Sequence, residues 1–157
     1  MYWAQIVAFY VRQGDASGAT IAVSLIPTID RLMPELPEVE TTVNGIRPFA
    51  EGRSVSGVIV RQRQLRWPVS RGLSQKLSGK VIQSVRRRAK YIMFEFERGT
   101  LLIHLGMSGR LRVVPSTTPI EKHDHVDLLL DDGHCVRFKD PRRFGSVTWV
   151  SGDPLVS

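Results

Sequence analysis

The chain has 157 residues, a formal net charge of +7 and a hydrophobic fraction of 42%. That length allows one domain with a real core, and the single cysteine, Cys135, excludes an internal disulfide and a Cys-rich zinc finger within the sequence. A basic domain favours polyanions, nucleic acid before an anionic membrane surface, although a merely basic soluble protein shows the same charge.

The basic excess is localised. Arg12 and Arg31 cancel Asp15 and Asp30 within the first 33 residues, so the whole surplus lies in residues 34–157. The lone thiol fits a reducing compartment, and the expected location is the cytoplasm. Residues 1–32 carry two apolar runs, Ile6 to Val11 and Ile21 to Ile26, the second ended by Pro27. Neither approaches the ~20 apolar residues of a membrane-spanning helix. No positive stretch precedes Ile6, as a secretory signal would require. Residues 1–32 are therefore expected to be an extension without a fold of its own. An extension that packs on the domain is the alternative.

Met33-Pro34-Glu35-Leu36-Pro37-Glu38-Val39-Glu40 reads as a beginning, although it starts 33 residues in. If Met33 starts translation and is removed, the Pro34 nitrogen is a secondary amine. Such an amine can attack an electrophilic carbon and form an iminium. If translation starts at Met1, the same nitrogen is a tertiary amide with no lone pair to offer. From Pro37 the pattern turns helical. Pro37 suits a first helical turn, and Glu38 and Glu40 place negative charge near the positive end of the helix dipole. Val39, Val43 and Ile46 form one apolar face, and Gly45 and Pro48 are expected to end the helix.

The remainder reads mostly as strand. Runs at Ser54 to Val60, Lys80 to Val85 and Tyr91 to Phe96 are β-rich, and Arg98-Gly99 is the expected turn after the third. Leu101 to Ile103 and Leu111 to Val114 are two short strands around Gly106 and Gly109. Val126 to Leu130 and Cys135 to Phe138 form the clearest hairpin, joined by Asp132-Gly133, which suits a type I′ turn. Ser146 to Val150 is the last strand. Short, closely spaced strands with one or two helices suggest an α+β domain built on a β-sandwich.

Three stretches carry possible chemistry. Arg86-Arg87-Arg88-Ala89-Lys90 puts four cations in five residues, enough to neutralise several phosphates or simply to solvate a strand end. Met107 lies in a loop flanked by Gly106 and Gly109, where small residues let the backbone approach a ligand. Arg142 and Phe144 in Asp140-Pro141-Arg142-Arg143-Phe144-Gly145 combine an Arg with an apolar wedge, as unstacking a base pair requires. Phe144 also reads as a core aromatic at a strand start. His123-Asp124-His125, with His134 and Cys135, has some metal-like spacing but lacks a second close pair. No metal site is expected.

Five stretches, in order, resemble formamidopyrimidine-DNA glycosylase, the bacterial enzyme that excises oxidised purines such as 8-oxoguanine. They are Met33 to Thr41, Leu65-Arg66-Trp67-Pro68, Arg87-Arg88-Ala89-Lys90-Tyr91, His104-Leu105-Gly106-Met107-Ser108-Gly109 and Asp140 to Gly145. The resemblance covers Met33 to the C-terminus and implies a two-layered β-sandwich flanked by helices. It implies a bifunctional DNA glycosylase and AP lyase acting on double-stranded damaged DNA. In that reading Pro34 attacks C1′ and leaves a Schiff base, Glu35 acts as acid or base at the sugar, and Lys90 contacts phosphate near the lesion. Met107, Arg142 and Phe144 fill the gap left by a flipped nucleotide, and His123 contacts DNA. The family's second half, a helix-two-turns-helix unit with a zinc finger, is expected to lie outside this sequence, so no cofactor is expected within it. No membrane or protein partner is expected, and a monomer is. Three other readings stand beside this one. They are an inactive DNA-binding fragment of the same family, an oxidised-pyrimidine glycosylase of the endonuclease VIII type, and a basic β-sandwich module that only binds.

Overall fold

The computed structural model describes residues 36–152. Pro34, Glu35 and the two apolar runs of the N-terminal segment lie outside those residues.

Helix α1 runs Leu36–Ala50 and begins as its sequence demands, with Glu38 in the first turn. Val39, Val43 and Ile46 are all buried, so the apolar stripe is the packed face. The helix does not stop at Gly45. It carries Pro48 inside its last turn and ends on the buried Ala50. A proline there removes a single backbone hydrogen bond near an end that already frays. Contacts to Val85, on the strand Ser84–Arg88, hold that end: Arg47 Nε donates to the Val85 carbonyl at 3.1 Å, and Val85 N–H donates to Glu51 Oε1 at 2.9 Å.

Among the described residues, eight strands follow in two antiparallel sheets. One sheet has the order β1 (Val55–Val60), β6 (Asp124–Leu130), β7 (His134–Lys139), β5 (Arg110–Pro115). The other has the order β2 (Ser84–Arg88), β3 (Tyr91–Phe96), β4 (Gly99–His104), β8 (Ser146–Ser151). Their inner faces share one core, in which Ile92, Phe94, Leu101, Ile103 and Val147 of one sheet join Leu111, Val126, Leu128, Val136 and Phe138 of the other. The architecture is the expected α+β sandwich. Helix α1 lies along β2 and reaches β5 of the other sheet, while the short helix α2 (Leu73–Leu77) packs on β1.

Three local expectations need correction. The strand expected at Lys80 to Val85 begins only at Ser84. Residues 80–82 are used elsewhere: Val55 N–H donates to Lys80 O and Ile82 N–H to Arg53 O, so this stretch ties onto the start of β1 in the opposite sheet. The β3–β4 turn is Glu97-Arg98, and Gly99 is a strand residue paired with Phe96. A Cβ on Gly99 would collide with the Trp149 ring, so that glycine serves packing rather than a turn. The β6–β7 connection is three residues long, and only Gly133 has positive φ. A type I′ turn needs two such residues.

Two links decide where function can sit. The chain passes from β4 to β5, and from β7 to β8, by crossing between sheets. Both crossings occur at the same end of the sandwich, because β4 ends and β8 begins side by side at His104 and Ser146, while β7 ends opposite the start of β5 at Lys139 and Arg110.

Candidate functional site

Lys90, Met107, His123, Arg142 and Phe144 fall at this end. Lys90 lies in the two-residue turn between β2 and β3, where Ala89 takes a φ of 52°. Its neighbour Tyr91 pairs with His104, and the two rings meet edge to face with centroids 4.7 Å apart. Met107 lies on the β4–β5 crossing and is 69% exposed. Arg142 and Phe144 lie on the β7–β8 crossing. Phe144 is 41% exposed, so it is not a core aromatic, and the Arg142 guanidinium stands 5.1 Å from its ring centroid. His123 immediately precedes β6, has a φ of 72°, and accepts a hydrogen bond from Asp140 N–H through its carbonyl at 3.1 Å.

The two crossings touch through backbone. Gly106 has a φ of 60°, and a Cβ there would approach the Phe144 carbonyl carbon to 2.6 Å and Gly145 N to 2.7 Å. Only glycine permits that approach. The joint is secured by Asp140, which is fully buried. Its Oδ1 accepts from Ser108 Oγ at 2.7 Å and its Oδ2 from Gly145 N–H at 2.8 Å. Ser108 Oγ in turn accepts from Arg142 N–H at 3.1 Å. The Asp140 carbonyl lies 2.7 Å from His125 Nε2 and accepts from Arg143 N–H at 3.2 Å.

Cations act on this end of the sandwich. The His104 imidazole is pushed down to about 4 by burial first, then by Lys90 and Arg66, with Asp140 opposing. It is therefore neutral at pH 7, and its Nδ1 accepts from Gly106 N–H at 2.9 Å, which leaves the proton on Nε2. Burial raises the Tyr91 phenol, while Arg66 lowers it. Arg66 thus belongs to the same end. Its N–H donates to Gly145 O at 3.1 Å, and its guanidinium stands 5.9 Å from the Trp67 ring centroid.

Arg86 and Arg87 behave differently from a solvated run. Arg86 pairs with Glu95 on the neighbouring strand, and Arg87 Nε donates to Glu40 Oε2 at 2.6 Å. Among the described residues, no three His, Cys, Asp or Glu side chains gather as a metal-holding group. His134 instead faces Asp132 in its own turn, at 3.3 Å.

Sequence reasoning gave no role to Arg66, His104, Ser108 or Asp140. All four sit inside motif stretches, so the signal was the motif itself. His125 and Asp127, for which packing or surface positions were expected, are buried.

A profile of the formamidopyrimidine-DNA glycosylase N-terminal domain matches residues 33–147. The chain belongs to that family. It is 56% identical over 128 residues to the formamidopyrimidine-DNA glycosylase of Alkalilimnicola ehrlichii, covering 78% of this chain and 46% of that protein. It is 58% identical over 119 residues to the Magnetococcus marinus protein of the same name, covering 75% and 43%. Among solved structures, the Lactococcus lactis Fpg in complex with a FAPY-dG-containing DNA superposes with a TM-score of 0.69 at 32% identity, covering 76% of this chain and 45% of that one. The Lactococcus lactis Fpg with an abasic-site-containing DNA gives 0.68 at 32% identity, covering 75% and 44%. This Fpg-family chain therefore spans about half the length of the relatives it matches. No helix among its described residues is long and apolar enough to cross a membrane.

Proposed function

We propose that this chain is the catalytic N-terminal half of a DNA glycosylase and AP lyase that removes oxidised purines from duplex DNA. One observation carries the reading. Lys90, Met107, Arg142 and Phe144 come from three separate connections and converge on one positively charged end of the sandwich. The start of α1 lies at that end too: Glu40 meets Arg87 near the end of β2, whereas Arg47 and Glu51 meet Val85 near its start. Pro34 and Glu35 immediately precede α1 in the sequence.

The reaction follows from the residue types. The Pro34 nitrogen, when it is the chain terminus, attacks C1′ of the damaged nucleotide. The bond from C1′ to the base breaks, and the base leaves with its electron pair and takes up a proton. Ring opening yields an iminium, which acidifies the adjacent C2′–H. Glu35 exchanges protons at the sugar, and elimination then expels the 3′ phosphate. Lys90 offsets phosphate charge beside the lesion, and His123 contacts DNA. Exposed Met107 and Phe144 enter the vacated stack, and Arg142 meets the base left opposite.

The test is borohydride trapping on an 8-oxoguanine duplex with two versions of the protein. The version beginning at Pro34 is expected to form a covalent adduct, and the version beginning at Met1 is expected to form none. Equal trapping by both would remove Pro34 as the nucleophile. DNA binding without trapping by either would favour the binding-only reading.

A further inference from the structure

We propose that Ser108 and Asp140 form a clamp that holds the Met107 loop and the Arg142–Phe144 loop in register, so that their side chains enter DNA as one wedge. The inference rests on the base-flipping reading given above and names positioning residues that the reading does not require.

The two loops share no strand pairing. Each is a crossing between sheets, and each presents an exposed apolar side chain, Met107 at 69% and Phe144 at 41%. Exposed apolar side chains on independent loops would sample many positions, and ordering them on DNA would cost affinity. Here a continuous relay removes that freedom. Arg142 N–H donates to Ser108 Oγ, Ser108 Oγ donates to Asp140 Oδ1, and Gly145 N–H donates to Asp140 Oδ2. One buried carboxylate thus anchors both ends of the 142–145 segment and, through the Ser108 hydroxyl, the Met107 loop. Gly106 brings the two backbones into direct contact beside it. Ser108 is the only side chain of this relay on the Met107 loop, and its hydroxyl both donates and accepts. Alanine cannot do either, whereas threonine can do both. Asp140 has a second duty at Gly145, so its replacement disturbs more than the link between loops.

The experiment uses the full chain and its Ser108→Ala, Ser108→Thr and Asp140→Asn variants. Amide hydrogen exchange in the free protein reads the clamp directly. Ser108→Ala is expected to speed exchange at Arg142 by roughly tenfold while Gly145 stays protected, and Asp140→Asn to speed both. Fluorescence of 2-aminopurine placed opposite a tetrahydrofuran abasic analogue reads wedge entry. Ser108→Ala is expected to lose most of the fluorescence gain, with affinity for undamaged duplex changed less than about threefold because phosphate contacts remain. Ser108→Thr is expected to restore the gain, which a purely structural deficit would not allow. Unchanged Arg142 exchange in Ser108→Ala overturns the clamp. So does a full fluorescence gain in a variant whose exchange has risen. If exchange responds as expected but the unaltered chain gives no fluorescence gain, the clamp stands as a structural feature and the base-flipping reading fails instead. Should Asp140→Asn not fold, the Ser108 pair decides alone.

Discussion

Arg87 Nε on β2 and Glu40 Oε2 on α1 lie 2.6 Å apart, and this pair fixes the first half of the helix at the basic end of the sandwich. The side chains are 25% and 46% exposed, so the pair contributes at most about 1 kcal/mol to stability. Its effect on placement is larger, because reacting groups lose rate steeply when misplaced by about 1 Å. Glu40→Gln is expected to lower Tm by only a few degrees, while slowing adduct formation by a chain that begins at Pro34 by roughly tenfold. Thermal melts and borohydride trapping measure the two effects. An unaltered trapping rate would mean that other contacts position the helix start.

Met107 and Phe144 contribute little to the core. Replacing either with alanine is expected to change unfolding free energy by less than about 0.5 kcal/mol. Affinity for an abasic-analogue duplex should nevertheless fall several-fold more than affinity for intact duplex, because only the former opens a gap to fill. Urea titrations and paired binding isotherms test this. Equal losses on the two duplexes would count against a wedge.

Asp127 sits between two guanidinium groups. Its Oδ2 accepts from Arg61 at 2.7 Å, and Arg137 donates from Nε at 2.9 Å to Oδ1 and from a terminal nitrogen at 3.0 Å to Oδ2. Arg137 is only 1% exposed and also donates to the carbonyls of Thr118 and Pro119, in the segment leading from β5 to β6. Burial alone would raise the Asp127 carboxyl, yet the two arginines hold it below the usual carboxylate range. Asp127→Asn leaves buried positive charge without its counter-charge and is expected to cost about 3–5 kcal/mol. Chemical denaturation checks the magnitude, and a loss under about 1 kcal/mol would show that solvent reaches the cluster.

His104 sets a pH dependence. Its folded value of about 4 lies below the unfolded value near 6.5, so the unfolded chain binds more protons between those limits. Its contribution is complete above pH 6.5 and is lost as pH falls toward 4, for a total on the order of 3 kcal/mol. Below pH 4 both states are protonated and the loss stops. His104→Gln, which stays neutral, is expected to flatten the stability profile across that window. NMR titration of the ring gives the folded value directly, and a midpoint near 6.5 would contradict the burial and the neighbouring cations.

The elements with strong local patterns were legible from the order of residues alone. Val39, Val43 and Ile46 marked the buried face of α1, and the β-rich run Tyr91 to Phe96 marked β3. Lys80 to Ile82 misled because a short apolar stretch favours a strand without stating which sheet it joins. Pro48 misled because burial of Ala50 outweighed one missing hydrogen bond. Asp140 was visible only as part of the Asp140 to Gly145 motif, which does not by itself show that the carboxylate is buried.

What the amino-acid sequence determined by itself was the family, through five ordered motifs, the basic character of residues 34–157, and the helix face that packs. Those are properties of composition, order and period, which need no partner. The tertiary structure alone decided that the Met107 loop and the 140–145 loop meet, that Arg66 and Lys90 bear on His104, and that one buried carboxylate joins the two loops. Those relations depend on two crossings between sheets ending at the same edge, and strand partners far apart in the chain are chosen by the whole core rather than by any local stretch.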